Sequence, residues 1–352
     1  MSRFFTDTLQ SLVPYTPGEQ PQNMQYIKLN TNENPYPPSA AALAAVEAEA
    51  PRLRLYSDPE STRLCRAVAA HYGIAPGNVL CGNGSDENLM LAIRAFCDAN
   101  HPLAFADVTY GFYTVWCALF GIPQHILPLE EDFTLDLTKY CGLNETIVIA
   151  NPNAPTGLAH PAAAIEEVVK ANPDAVVIVD EAYIDFGGES CLPLIKTYDN
   201  LLVVQTFSKS RNLAGARLGL CMGAQGLIDD LKRVKYSMNP YNVNRLSEVA
   251  GEAAINDNAY FAKTCAAIIS TRSDAAMMLR ARGFTVLDSR ANFLFARTPK
   301  MEGGALYHRL KQKGVLVRHF DKPRIGDWLR ITVGRPEEMS ELYRALQEIL
   351  PK

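Results

Sequence analysis

Lys209 is the residue whose setting most invites chemistry. It follows the apolar run Leu201-Leu202-Val203-Val204 and lies among small hydroxyl residues in Gln205-Thr206-Phe207-Ser208-Lys209-Ser210-Arg211. Such a run reads as a buried strand, so the amine stands where the chain leaves a sheet. Burial favours the neutral form of an amine and lowers its pKa, and a neutral amine attacks carbonyl carbon. The chemistry expected is imine formation with an aldehyde cofactor; the common alternative is a solvated loop lysine. Asp180 and Glu181 raise a similar question. They directly follow the apolar Ala175-Val176-Val177-Ile178-Val179, and acids there are costly unless paired. Arg217, a little beyond the lysine, offers a planar fork that suits phosphate.

Three further stretches end apolar runs in the same way. Cys81-Gly82-Asn83-Gly84-Ser85-Asp86-Glu87 follows Val79-Leu80 and precedes a helical pattern. Glycines before a helix start let N–H groups converge on an anion, although Ser85 or Asp86 could equally be a plain N-cap. Tyr110 leaves the run Pro102–Ala106, where an aromatic either stacks on a planar ring or packs in the core. Thr146–Ala150 is closed by Asn151-Pro152-Asn153-Ala154-Pro155-Thr156-Gly157, a sharp turn by composition. Tyr56, in Leu55-Tyr56-Ser57-Asp58-Pro59, is by itself a core or capping tyrosine, with Pro59 expected near a helix's first turn.

The elements needed to position these residues alternate strand, helix, strand, helix. That order predicts an α/β fold with a large, mostly parallel sheet flanked by helices. Ligands in such sheets bind at the carboxyl ends of strands, where the glycine turn, Tyr110, Asn153, Asp180 and Lys209 all fall. A composition shift near Tyr236–Pro240 and a long helical stretch from about Asn244 to Arg282 lead to a smaller α/β unit. The expected organisation is an arm at 1–35 packed on the smaller unit, a large domain at 36–243 and a small domain at 244–352.

Composition excludes several classes. With 48% hydrophobic and 20% charged residues and a net charge of -4, the chain is an ordinary globular one with no basic nucleic-acid surface. No apolar run is long enough to span a bilayer, and Met1–Asp7 lacks the apolar stretch of a signal peptide. The eight cysteines are scattered and the six histidines have no ligand spacing, so reduced thiols, a cytoplasmic setting and no metal are expected.

In this order and spacing, Gly82–Glu87, Asn151–Gly157, Asp180–Tyr183 and Ser208-Lys209 with Arg217 resemble the pyridoxal-phosphate enzymes of the aspartate aminotransferase fold. Pro14–Gly18, Leu29–Pro35, Tyr56–Pro59 and Leu329–Gly334 are most similar to the histidinol-phosphate aminotransferase family within that group. The resemblance implies pyridoxal 5'-phosphate bound to Lys209, which then moves the substrate proton, with Asp180 on the ring nitrogen and Tyr183 on the phenolic oxygen. Tyr110 would stack on the ring, and Ser85, Asp86, Thr206, Ser208 and Arg217 would hold the phosphate. Tyr56 would reach the partner's phosphate in a homodimer with shared sites. Tyr15, Asn292, Arg318 and Arg330 would receive the substrate, although Arg330 alone could be a strand arginine in an ion pair. The family carries asparagine before Pro-Thr-Gly where this chain has Ala154, so either Asn153 substitutes or Tyr183 acts alone. The activity implied is transamination between L-histidinol phosphate and 2-oxoglutarate. The alternatives are an aromatic amino-acid aminotransferase, a phosphate-ester decarboxylase or a non-catalytic binder of the same fold.

Overall fold

The computed structural model describes residues 2–351; Met1 and Lys352 lie outside them. A two-residue strand, β1 (Ile27–Lys28), precedes the main sheet. That sheet contains β2 (Val79–Gly82), β3 (Leu103–Ala106), β4 (Gln124–Leu127), β5 (Thr146–Ala150), β6 (Val177–Asp180), β7 (Leu201–Thr206) and β8 (Gly219–Gly223). Its spatial order is β2-β8-β7-β6-β5-β3-β4. β8 runs antiparallel to both neighbours, and the remaining pairs are parallel. β4 alternates exposed and half-buried residues at the sheet's edge, which is why no apolar run marked it.

The central strands are apolar throughout because both faces are covered. Ile147, Ile149, Val177, Val179, Leu201 and Val203 pack on one side. Val148, Ile178, Leu202 and Val204 pack on the other. This period of two is the strand pleat, and each fully buried aliphatic side chain contributes about 1.5–3 kcal/mol. The same parity turns Asp180, two residues after Ile178, towards the face that holds Tyr113.

Helices α1 (Ala40–Glu49), α2 (Thr62–Tyr72), α3 (Ser85–Phe96), α4 (Phe112–Phe120), α5 (Ala162–Ala171) and α6 (Gln225–Met238) accompany this sheet. Pro59 precedes α2 by a turn rather than opening it. Asp58 accepts from the Glu60 and Thr62 N–H groups, and Ser61 takes a positive φ before the helix starts. The stretch read as one long helix is two, α7 (Arg245–Asn256) and α8 (Asn258–Arg280). Asp257 leaves helical geometry, and its carboxylate accepts from the Tyr260 N–H to cap the second.

A second, antiparallel sheet contains β9 (Thr285–Val286), β10 (Phe293–Arg297), β12 (Arg318–His319) and β13 (Leu329–Thr332). Between β10 and β12 come α9 (Gly303–Gln312) and β11 (Val315–Leu316), and α10 (Pro336–Ile349) closes the chain. Leu294, Ile331, Leu306 and Leu342 form its separate core. β1 pairs in parallel with β11, which draws the strap Leu29–Asn34 between this unit and the main sheet.

Candidate active site

The carboxyl ends of β5, β6 and β7 and the amino end of β8 meet at one edge of the main sheet. Thr206 and Gly82 are both register partners of Gly219, so the antiparallel strand brings Arg217 to the same edge from the opposite direction. Gly219 permits this approach, since a Cβ there would lie 2.3 Å from the Ser85 nitrogen. The edge opens on a cavity of about 510 Å³ whose lining includes Asp180, Tyr183, Lys209, Arg217, Arg318 and Arg330.

Lys209 Nζ donates to the Thr31 carbonyl at 3.1 Å. Burial, and next the nearby Arg330 cation, depress its pKa from 10.5 to about 8. Asp180 is 5% exposed. Its carboxylate accepts from the Tyr113 hydroxyl at 2.7 Å and the Ala182 N–H at 3.2 Å. Burial raises it to about 6 against the opposing effect of those hydrogen bonds, and no cation pairs with it among the described residues. Glu181 turns the other way, accepting from Ser190, the Cys191 N–H and Gln205. It is outside the cavity.

Ser85 opens α3 after Gly84, whose φ of 83° is readily available only to glycine. A Cβ at Gly84 would lie 2.4 Å from Arg217 Nη2. Arg217 pairs with Asp86 at 3.0 Å, and the Tyr110 hydroxyl donates to the same carboxylate at 2.7 Å. Thr206 and Ser208 complete this end of the wall. Tyr15 stacks on Phe112 at 4.2 Å while facing the cavity.

Arg318 and Arg330 are register partners on β12 and β13. Arg318 donates to the Pro17 and Thr16 carbonyls, and Arg330 Nη2 to the Asn30 carbonyl at 3.1 Å. The Arg330 Nε is buried without a partner. Neither guanidinium forms an ion pair among the described residues, so the surface-pair alternative for Arg330 does not hold.

Two expected residues, Asn153 and Asn292, do not line the cavity. Asn153 has its side chain spent on the turn, accepting from Thr109 and donating to the Val108 carbonyl and Thr156. It therefore does not replace the asparagine missing at Ala154, which packs against Tyr183 and Phe293. Asn292 sits behind the wall, its amide donating to the Asn32 carbonyl at 3.0 Å. Tyr56, expected at a partner's phosphate and not in this cavity, is 79% exposed and stacks on Tyr241 at 4.7 Å.

A family model described as aminotransferase class I and II matches residues 24–346. The chain belongs to that aminotransferase family. Histidinol-phosphate aminotransferase 1 of Pseudomonas aeruginosa is 50% identical over 347 residues, 98% of this chain and 99% of that one. Histidinol-phosphate aminotransferase 2 of Dechloromonas aromatica is 49% identical over 354 residues, 99% of each. Among solved structures, histidinol-phosphate aminotransferase from Sinorhizobium meliloti in complex with pyridoxal-5'-phosphate has a TM-score of 0.90 and 25% identity, with 99% and 98% coverage.

The aminotransferase cavity also has walls that sequence reasoning left without a role. Thr31, Asn32 and Glu33 line it, and the strap lends three successive carbonyls, of Asn30, Thr31 and Asn32, to Arg330, Lys209 and Asn292. In the sequence the run Leu29–Pro35 carries only a family resemblance, with no role for its individual residues. Its signal was the density of asparagines, two of which, Asn30 and Asn32, are buried. Tyr113, which holds Asp180, carries no sequence signal of that role.

Proposed function

We propose that this aminotransferase uses pyridoxal phosphate to move an amino group from L-histidinol phosphate to 2-oxoglutarate. The products are imidazole acetol phosphate and L-glutamate, a step of histidine biosynthesis. The cavity's donor set fits the cofactor. Asp180 is a buried carboxylate lacking a cation, which a protonated ring nitrogen would supply. Lys209 is an amine with a depressed pKa deep in the same cavity. Ser85 at a helix start, Thr206, Ser208 and Arg217 form a cradle for phosphate. When bound, pyridoxal phosphate supplies an aldehyde that accepts the amino group and a ring that delocalises the electron pair left at the substrate's Cα.

The chain's residues do the rest. Asp180 would keep the ring nitrogen protonated, and Tyr113 fixes the carboxylate's orientation. Tyr183 would donate to the phenolic oxygen, and Tyr110 would cover a ring face. Neutral Lys209 would take the proton from the substrate Cα and hand it back, as base and then acid. Its low pKa keeps a useful neutral fraction near neutral pH.

The observation that carries the substrate reading is the pair Arg318 and Arg330, two guanidinium groups facing the cavity without a carboxylate partner. Each charge-assisted hydrogen bond is worth roughly 1.5–3 kcal/mol. A phosphate monoester and a dicarboxylate both satisfy that pair, so one pocket serves both half-reactions in alternation. Tyr15 would bound the same space with its stacked ring.

The site is completed by a second copy of the chain. Tyr56 stands exposed beside exposed Leu53, Leu55 and Tyr241, an apolar group that a homodimer contact would cover. Its hydroxyl would then reach the partner's phosphate cradle. A cytoplasmic setting accords with free cysteines throughout the described residues.

The test is a glutamate-forming assay with 2-oxoglutarate, comparing histidinol phosphate with phenylalanine and tyrosine. A kcat/KM for histidinol phosphate at least tenfold above both is expected. Equal or better turnover of the aromatic amino acids would refute the substrate assignment, and carbon dioxide without glutamate would make the protein a decarboxylase.

A further inference from the structure

The hydrogen bonds around the strap determine which way a proton points in the site. The Asn32 N–H donates to Thr332 Oγ1 at 2.9 Å. The threonine hydroxyl is thereby an acceptor, and its own proton goes to Asn32 Oδ1 at 3.0 Å. That assigns the oxygen of the Asn32 amide to Thr332 and its NH2 group to the other side, where Nδ2 donates to the Tyr183 hydroxyl at 2.9 Å. A hydroxyl that accepts from an amide has one proton left to place. The Tyr183 ring packs edge-on against Phe293 at 5.1 Å and 90°, which helps hold its hydroxyl in place. The direction remaining is the cavity that Tyr183 lines with Asp180 and Lys209.

We propose that Asn32 is a positioning residue: its amide makes Tyr183 a hydrogen-bond donor into the cavity, towards the phenolic oxygen of the cofactor. The proposal rests on the pyridoxal-phosphate reading above. Asn32 is 1% exposed, and its carbonyl is held by the Asn292 amide, so the donor has little freedom to turn away. Position 154 itself offers no polar group, since Ala154 packs against Tyr183. Asn32 thus takes on part of what a polar side chain at 154 would supply, one hydrogen bond further from the cofactor.

Asn32 also has φ of 56°, a left-handed conformation that asparagine tolerates and glycine adopts freely. Conformation alone would explain an asparagine here, and Asn32→Gly separates the two roles because it keeps the backbone and removes the amide. The readout is the pH midpoint of the visible absorption band formed when the protein takes up pyridoxal phosphate. A donor on the phenolic oxygen competes for it with the proton on the Lys209-linked nitrogen. Loss of that donor lets the nitrogen keep its proton to higher pH. Asn32→Gly should therefore raise the midpoint by about one pH unit and speed cofactor loss about tenfold.

Thr332→Val, which releases the amide to flip, should shift the midpoint in the same direction, and Thr332→Ser should leave it in place. In a Tyr183→Phe background, Asn32→Gly should add no further shift, because the group it orients is gone. A band with an unmoved midpoint in both Asn32→Gly and Thr332→Val overturns the proposal alone. An equal shift with and without the Tyr183 hydroxyl also overturns it, as it would assign Asn32 a general packing role. Absence of any band in the unsubstituted protein overturns the cofactor reading itself, and this proposal with it.

Discussion

Capture of pyridoxal phosphate by the cofactor-free protein should follow the protonation of Lys209. Its pKa is depressed from 10.5 to about 8, first by burial and then by Arg330, while Asp86 and Glu33 oppose the shift. At about pH 7.5 an amine of pKa 8 is roughly one-quarter neutral, and one of pKa 10.5 about one part in a thousand. The structure thus raises the reactive fraction on the order of 10²-fold. The assay is stopped-flow growth of the visible band after mixing cofactor with apoprotein, from about pH 6.5 to 10. The rate should climb with pH and level off above a midpoint near 8. Arg330→Gln removes a neighbouring cation and should move the midpoint up. Asp86→Asn removes a neighbouring carboxylate and should move it down. A rate still rising tenfold per unit at about pH 10 would refute the argument, since Lys209 would then titrate like a solvated lysine.

Gly84→Ala places a methyl against Arg217 and forces alanine to a positive φ, so it should cost about 1–2 kcal/mol of stability. It should weaken binding of pyridoxal phosphate but not of pyridoxal, as read by equilibrium dialysis of the two aldehydes. Arg330→Ala should raise the KM for histidinol phosphate and for 2-oxoglutarate together, by about tenfold or more; an effect on one alone would separate their pockets. Tyr56→Phe should accelerate cofactor loss in the assembled protein, measured by dilution into a trap for free aldehyde, with no change if the tyrosine does not reach a second site. Burial holds Glu181 near 7 rather than 4.5, so the folded apoprotein keeps a proton that the unfolded chain releases. Stability should therefore fall as pH rises from about 4.5 to 7, by about 3 kcal/mol from this group. Urea melts of Glu181→Gln should show a flatter pH dependence over that window.

The parts of this fold that could be read from the chain were those in which one physical demand dominates. β5, β6 and β7 are apolar on both faces, and the polar residues that end them mark where the sheet opens. That was enough to gather Asp180, Lys209 and the glycine turn at one edge. The direction of β8 was not legible, since an apolar run is the same read either way, although it determines how Arg217 arrives. β4 escaped because an edge strand needs little apolar surface. Asn153 and Asn292 show a different limit. A polar residue beside a site can serve the ligand or the backbone, and hydrogen-bond demand from distant carbonyls and hydroxyls decides between them. Asn32 was hidden for the same reason, its partners Tyr183 and Thr332 being far away in the chain.

The strap between β1 and α1 has a consequence for what changes the chain can absorb. Its three neighbouring carbonyls serve an amine, a guanidinium and an amide belonging to three separate elements, and backbone oxygens are present whatever the side chains. Replacement of the Thr31 side chain leaves that ladder intact, whereas Asn32 is also held to asparagine or glycine by its φ of 56°. Insertion or deletion of a single residue shifts all three oxygens out of register at once. The length of this segment is therefore constrained through its backbone oxygens, independently of the constraint on the side chain at Asn32.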